Sequence, residues 1–204
     1  IVSSGGTLVL GAANQVADAL PMTLAGGTFQ TAGFAEQVGP LKLTGNSVID
    51  LGAGSSVLGF AASSGVAWTA GARLTLTNWN GSIRGGDAAR VVFGGNDAGL
   101  SATQVSQLRF ANPAGFAAGV YPATILATGE VVPFAATALY GASSAIGGQL
   151  QFNLAGATGG SYAILASTNL TYWAVLQITN SPCTFTDTNT SGFPQRFYRA
   201  QYLP

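Results

Sequence analysis

The sequence contains no histidine, one cysteine (Cys183) and one methionine (Met22). Its charges are also few, seven cationic and seven anionic side chains or 7% of 204 residues, where an ordinary soluble domain carries roughly 25%. Without histidine, Ser-His-Asp and Cys-His catalysis and histidine zinc sites are excluded. A lone cysteine excludes an internal disulfide framework, and a small buried side chain is the reading preferred for Cys183 over an intermolecular bridge. Zero net charge with no basic cluster argues against nucleic acid, because phosphate binding needs several Lys or Arg on one face. Long apolar runs are missing as well, so insertion of a membrane helix is not expected. No signal-peptide pattern is present, and a secreted protein of this kind is expected to have its leader removed or upstream.

What fills the chain instead is glycine, 29 residues, about twice the usual share, together with Ala, Ser and Thr. The surface must then be built from hydroxyls, amides and backbone, which suits secreted, repetitive β-proteins. Near-zero net charge removes the repulsion that keeps copies apart, so self-association is favoured.

Strand-like runs recur through the first half, beginning at Thr7, Met22, Leu41, Val57, Arg73, Val91 and Gln107. Their steps of about 15 to 19 residues match one coil of a small solenoid. In "LKLTGNSVIDL", Leu41 and Leu43 are expected to face one way and Lys42 and Thr44 the other. Between the runs sit "AGG", "TGN", "GAGSS" and "SSG", whose Gly and Asn supply turns. In "LSATQVSQLRF", Ser101 and Gln104 spell a capping box, which predicts a short helix near 101–108 covering the end of the core. The glycine-rich "RGGDAARVVFGGNDAG" lacks the Lys-Ser/Thr ending of a phosphate loop and is read as two loops around a short strand. From Gly147 the strands grow longer and more aromatic, with closely spaced turn clusters, the pattern of an antiparallel sandwich. The expected fold is all-β: a short right-handed parallel β-helix over 1–135 followed by a small antiparallel β-sandwich over 136–204.

Both halves resemble known parts. "GGTLVLGAANQVADALPMTLAGGTFQTAGFAEQVGPLKLTGNSVIDLGAGSSVLGF" and its continuation to "TNWNG" resemble the autotransporter-associated β-strand repeats of secreted bacterial proteins. "ANPAGFAAGVYPATILATGEVVP" is similar to the segment that often closes such a region. "YAILASTNLTYWAVLQ" followed by "FTDTNTSGFPQRFYRA" resembles a small C-terminal β-domain of secreted proteins from Verrucomicrobia-like bacteria. The resemblance implies an extracellular, passenger-like β-helix with a terminal β-sandwich, and it implies no catalytic residues. The chain has neither a membrane barrel nor a sorting tail, so an outer-membrane autotransporter mechanism is not expected.

The acidic residues Asp18, Glu36, Asp50, Asp87, Asp97, Glu130 and Asp187 sit mostly beside Gly, Asn or Thr, where a carboxylate bonds local backbone amides. A converging glycosidase pair is the less favoured reading. Asp187, Thr188 and Asn189 read as a turn before they read as a calcium site. Sequons at Asn80, Asn169 and Asn189 are read as chance matches. Trp68, Trp79, Tyr172 and Trp173, with Asn78 and Asn80, are candidates for a sugar platform. Set against this, Trp173 reads as a plug of the sandwich core and Trp79 as a cover of the solenoid edge, with both kept as the possible glycan contacts. Arg196 and Arg199 are expected to face opposite ways, one of them pairing with Asp187.

The expected function is therefore non-enzymatic, with no cofactor and no metal: an extracellular or cell-surface structural protein that self-assembles head to tail into a filament or surface layer. Ile1, Val2, Leu8, Val9 and Leu10 are the expected assembly residues, because in "IVSSGGTLVL" Thr7 to Leu10 occupies the first rung of a stack and Ile1 to Ser4 is expected to have no rung of its own. The alternative is an adhesin or carbohydrate-binding module of a larger secreted protein, with extracellular polysaccharide as partner.

Overall fold

The computed structural model describes residues 1–116, 118–134, 137–144, 149–156 and 161–203. Its strands are β1 Val2–Ser3, β2 Thr7–Val9, β3 Met22–Ala25, β4 Thr28–Gln30, β5 Glu36–Val38, β6 Leu41–Gly45, β7 Ser47–Asp50, β8 Val57–Phe60, β9 Leu74–Thr77 and β10 Arg90–Phe93. One helical turn, α1 Ala102–Val105, precedes β11 Leu108–Ala111, β12 Val120–Ile125 and β13 Glu130–Pro133. The remaining strands are β14 Ala138–Ser144, β15 Leu150–Ala155, β16 Ser161–Ser167, β17 Ala174–Asn180, β18 Cys183–Asp187 and β19 Phe197–Leu203. The protein is all-β, with a curled ten-stranded mixed sheet and small three-stranded sheets. The chain divides into two compact units, Ile1–Phe134 and Ala135–Pro204. The sandwich boundary expected at 135/136 and most of the turn expected at 156–160 lie outside the described residues.

In the first unit the chain leaves one sheet for another at short turns. β1, β3 and β6 pair in parallel; so do β2, β4, β7, β9 and β11, and β5, β8 and β10. The spacing read from the sequence needs correction. The runs at Met22 and Leu41 pair directly, but other successive runs do not, and the column partners Leu8, Phe29, Ile49, Leu76 and Phe110 lie farther apart in the chain than 15 to 19 residues. "LKLTGNSVIDL" is two strands in two sheets, because the chain turns between Gly45 and Ser47.

Stacking like on like seals these columns. Phe29, Ile49, Leu76 and Phe110 are wholly buried, as are Leu24 and Leu43 of the next sheet. On β8 and β10 of the ten-stranded sheet, Phe60 and Phe93 stack at 5.0 Å between centroids. Polar side chains then tie the connecting loops to this core. Gln104 Nε2 donates to the carbonyls of Ser63 and Val66, and Gln107 Nε2 to those of Thr69 and Ala72. Ser101 Oγ accepts from Gln104 N, and Gln104 Oε1 accepts from Ser101 N, so the capping box is formed. The helix is a single turn, shorter than 101–108, because Leu108 already pairs with Leu74.

The second unit is built differently. β14, β15 and β18 form one antiparallel sheet, and β17, β16 and β19 another. Phe152, Phe185 and Ile164 form a core cluster drawn from both sheets, against which Cys183 packs half-buried. Ser181-Pro182 is a cis peptide.

Candidate functional site

Two places in the molecule hold groups that its own packing leaves unused. The first is the edge of the ten-stranded sheet at β2. The backbone of Leu10 donates to Gln30 O and that of Thr28 to Gly6 O. By the alternation of a parallel ladder, Gly6, Leu8 and Leu10 point their backbone groups at β4, and Thr7 and Val9 point theirs away from the sheet. Leu8 ends the column that runs through Phe29 to Phe110, yet it is 40% exposed where its column partners are sealed. Val9 is 52% exposed.

The expected assembly residues thus separate into two groups. Val2 and Leu10 are buried in their own unit, whereas Ile1, Leu8 and Val9 are exposed. Gly27 explains how closely the first rung seats. A Cβ there would lie 2.4 Å from Ser3 O and 2.6 Å from Val2 Cγ1, so β1 rests on bare backbone.

The parallel run that starts at β2 has no free edge at its far side. β12 lies antiparallel on β11, and β13 joins β12 to β10, so Tyr121 completes the column beside Phe110. The other terminal strand of the sheet, β5, is shielded by a loop. The amides of Gln15 and Val16 donate to Glu36 Oε2 at 2.6 and 3.2 Å, and Asn14 N donates to Ala35 O. β2 is left as the bare edge of the ten-stranded sheet among the described residues.

The carboxylates go mainly to backbone amides. Asp50 Oδ1 accepts from Gly52 N, Asp87 Oδ1 from Ala88 N, and Asp187 Oδ1 from Asn189 N. Glu130 is buried and accepts from Gly86 N at 2.8 Å through Oε2. Burial pushes its carboxyl up from the ordinary 4.5, against the opposing pull of the Gly86 amide and Arg90. Gly85 is required beside it, since its φ is +74° and a Cβ would lie 2.7 Å from Glu130 Oε2. Among the described residues no three of His, Cys, Asp and Glu converge as a metal-binding group.

The second place is an aromatic cavity of about 330 Å³ in the second unit, lined by Thr168, Tyr172, Trp173, Phe193 and Arg196 among others. Its turn is braced from within. Ser167 Oγ accepts from the amides of Asn169 and Leu170, Asn169 Oδ1 accepts from those of Thr171 and Tyr172, and Trp173 Nε1 donates to Leu170 O. Tyr172 is left 80% exposed. The facing wall is tied on by Gln195 Nε2, which donates to Thr168 O. Arg196 forms a 2.9 Å ion pair with Asp187 and donates to Asn189 O, while its guanidinium lies 4.4 Å from the Phe193 ring centroid. Arg199 lies over Trp173 at 4.3 Å. Tyr198 O–H donates to Asp187 Oδ2, and its pKa is pushed up to about 12, by burial first and then by Asp187.

The sequence candidates for a sugar platform therefore divide. Trp79 is 2% exposed and packs edge-on against Phe110 and Phe116, so it offers no face to a ligand. Trp68 Nε1 donates to Leu41 O. Asn78 and Asn80 are spent on Asp50 and Gly54 O. Trp173, read from the sequence as a sandwich plug with glycan contact as the lesser reading, lines the open cavity. Phe193 and Thr168 were not singled out in the sequence. The turn signals on either side, "STNLT" and "NTSGFP", place them, but only the strand register brings the two turns together. Compared with protein-family models, curated proteins and solved structures, the chain matches none.

Proposed function

We propose that the first unit is a short parallel β-helix, the second a small β-sandwich, and the whole chain an extracellular, non-enzymatic structural protein that associates with a second copy through β2. The parallel registers of the first unit support the β-helix reading, and the resemblance to passenger-like repeats supports the extracellular one. The observation that carries the association is the Leu8 column, sealed from Phe29 to Phe110 but open at Leu8.

An unpaired strand with outward amides and apolar side chains is a template for another strand. Low charge leaves little repulsion to oppose it. The head-to-tail propagation expected from the sequence needs two complementary edges, and here the run from β2 to β11 is joined through β12 and β13 to β10, with β5 as the sheet's other end. Pairing of like edges about a two-fold axis is the contact that remains, and it closes at a dimer. A filament then needs a further contact elsewhere on the chain. Covering Leu8 and Val9 contributes roughly 1 kcal/mol per side chain, so the dimer is weak and reversible.

Sedimentation across a concentration series tests this reading. The expected result is a concentration-dependent dimer that Val9→Pro abolishes, because proline removes an outward N–H without touching the pairing with β4. A monomer at every concentration, or an oligomer indifferent to Val9→Pro, overturns it.

A further inference from the structure

We propose that the aromatic cavity of the second unit binds an acidic saccharide, a pyranose chain carrying carboxylates, with the sugar face on Tyr172 and its carboxylate drawn by Arg199, which stands outside the lining, over the Trp173 ring. This inference is independent of the association at β2. Three observations carry it.

The cavity is built before any ligand arrives. Hydrogen bonds inside the turn 167–173 fix the backbone at Tyr172 and the indole of Trp173, and the Gln195 amide fixes the facing wall. Preorganisation of this kind lowers the ordering cost of binding. An 80% exposed tyrosine on such a braced turn is not explained by packing.

Charge is concentrated here. Asp187, Arg196 and Arg199 are the charged side chains between residues 135 and 204: Arg196 lines the cavity, Asp187 pairs with Arg196, and Arg199 lies over the lining residue Trp173. Asp187 answers Arg196 in the ion pair between described residues, which leaves the positive charge of Arg199 in surplus.

The shape and lining suit a sugar. A cavity of about 330 Å³ is at the small end of ligand sites, room for one or two pyranose rings. Aromatic faces take the C–H face of a pyranose, and Thr168 with the Arg196 guanidinium offers polar contacts at its edge. One surplus cation matches one carboxylate per sugar residue. A nucleic acid asks for several cations along its backbone, and this unit has none to add.

The test is titration of the full chain with tetragalacturonate, cellotetraose and a short oligothymidylate, read by tryptophan fluorescence and calorimetry. Saturable binding of tetragalacturonate, tighter than that of cellotetraose and weakened by salt, is the expected result. Tyr172→Ala should weaken it about tenfold, the loss of one ring contact. Arg199→Gln should weaken it about threefold and flatten the salt dependence. Tyr172 is exposed, so its variant folds and keeps the test valid. Equal or tighter binding of cellotetraose, binding of oligothymidylate alone, tetragalacturonate binding unchanged in Tyr172→Ala, or no binding at millimolar ligand would each overturn the proposal.

Discussion

The two units solve the same shortage of charge in opposite ways. In the first, apolar columns run across successive strands, and neutral amides or buried carboxylates hold the loops. Gln104, Gln107, Glu36 and Glu130 each accept from or donate to backbone groups of segments far away in sequence. In the second, a small cluster around Phe152, Ile164 and Phe185 is supplemented by the ion pair of Asp187 with Arg196 and by arginines laid on aromatic rings. A unit of this size has little core to rely on. The lesson is that repetition lets a chain replace ions with stacked side chains, whereas a small non-repeating sheet pair gathers its few charges at one corner.

The largest expected effect separates the closed part of a column from its open end. Phe29→Ala should cost about 3–5 kcal/mol in denaturant unfolding, as for a fully buried ring, while Leu8→Ala in the same column should cost under about 1 kcal/mol. Equal losses would mean that Leu8 is as enclosed as Phe29. Next comes the charged corner of the second unit. Asp187→Ala strands Arg196, so unfolding of that unit alone should shift by about 3 kcal/mol, with the first unit's transition unmoved. A smaller step tests the amide staples. Gln104→Ala leaves the carbonyls of Ser63 and Val66 without their donor and should cost about 2 kcal/mol, read by faster amide exchange in the 63–69 loop.

The smallest effects are in pH, and they set the units apart again. Glu130 has a folded pKa above its unfolded value, so its contribution is fully present below 4.5 and is lost as pH rises through the folded pKa. Glu130→Gln should remove that slope from the first unit's stability. Tyr198 likewise has a raised pKa, so the second unit should hold its Tyr198 contribution below pH 10 and lose it toward about pH 12. Unit-resolved NMR signals followed against pH and denaturant check both windows.

Local signals were legible in the sequence where one residue decides the geometry. Leu41 and Leu43 face inward and Lys42 outward, as alternation requires, and Ser101 with Gln104 forms its reciprocal cap. Long-range pairing was not, because the turns at Gly45 and Gly26 switch the chain between sheets and hide the true step between partners. β5 went unread for a physical reason. Glu36 occupies an inward position that looks polar until the amides of Gln15 and Val16, from another loop, meet it. The destination of Trp173 was hidden likewise: an aromatic that opens the "WAVLQIT" run reads as core until Ser167 and Asn169 close the turn before it. A pairing of Asp187 with one of the two arginines was legible in the sparse charges, and the structure gives it to Arg196.

The association at β2 is tested most directly by hydrogen exchange at the Val9 amide as protein concentration rises. In dilute solution this outward N–H should exchange freely, while that of Leu10, bonded to Gln30 O, stays protected. At high concentration the Val9 amide should become protected in step with dimer formation. Protection that does not change with concentration, while Leu10 behaves as described, would contradict pairing of this edge with a second copy.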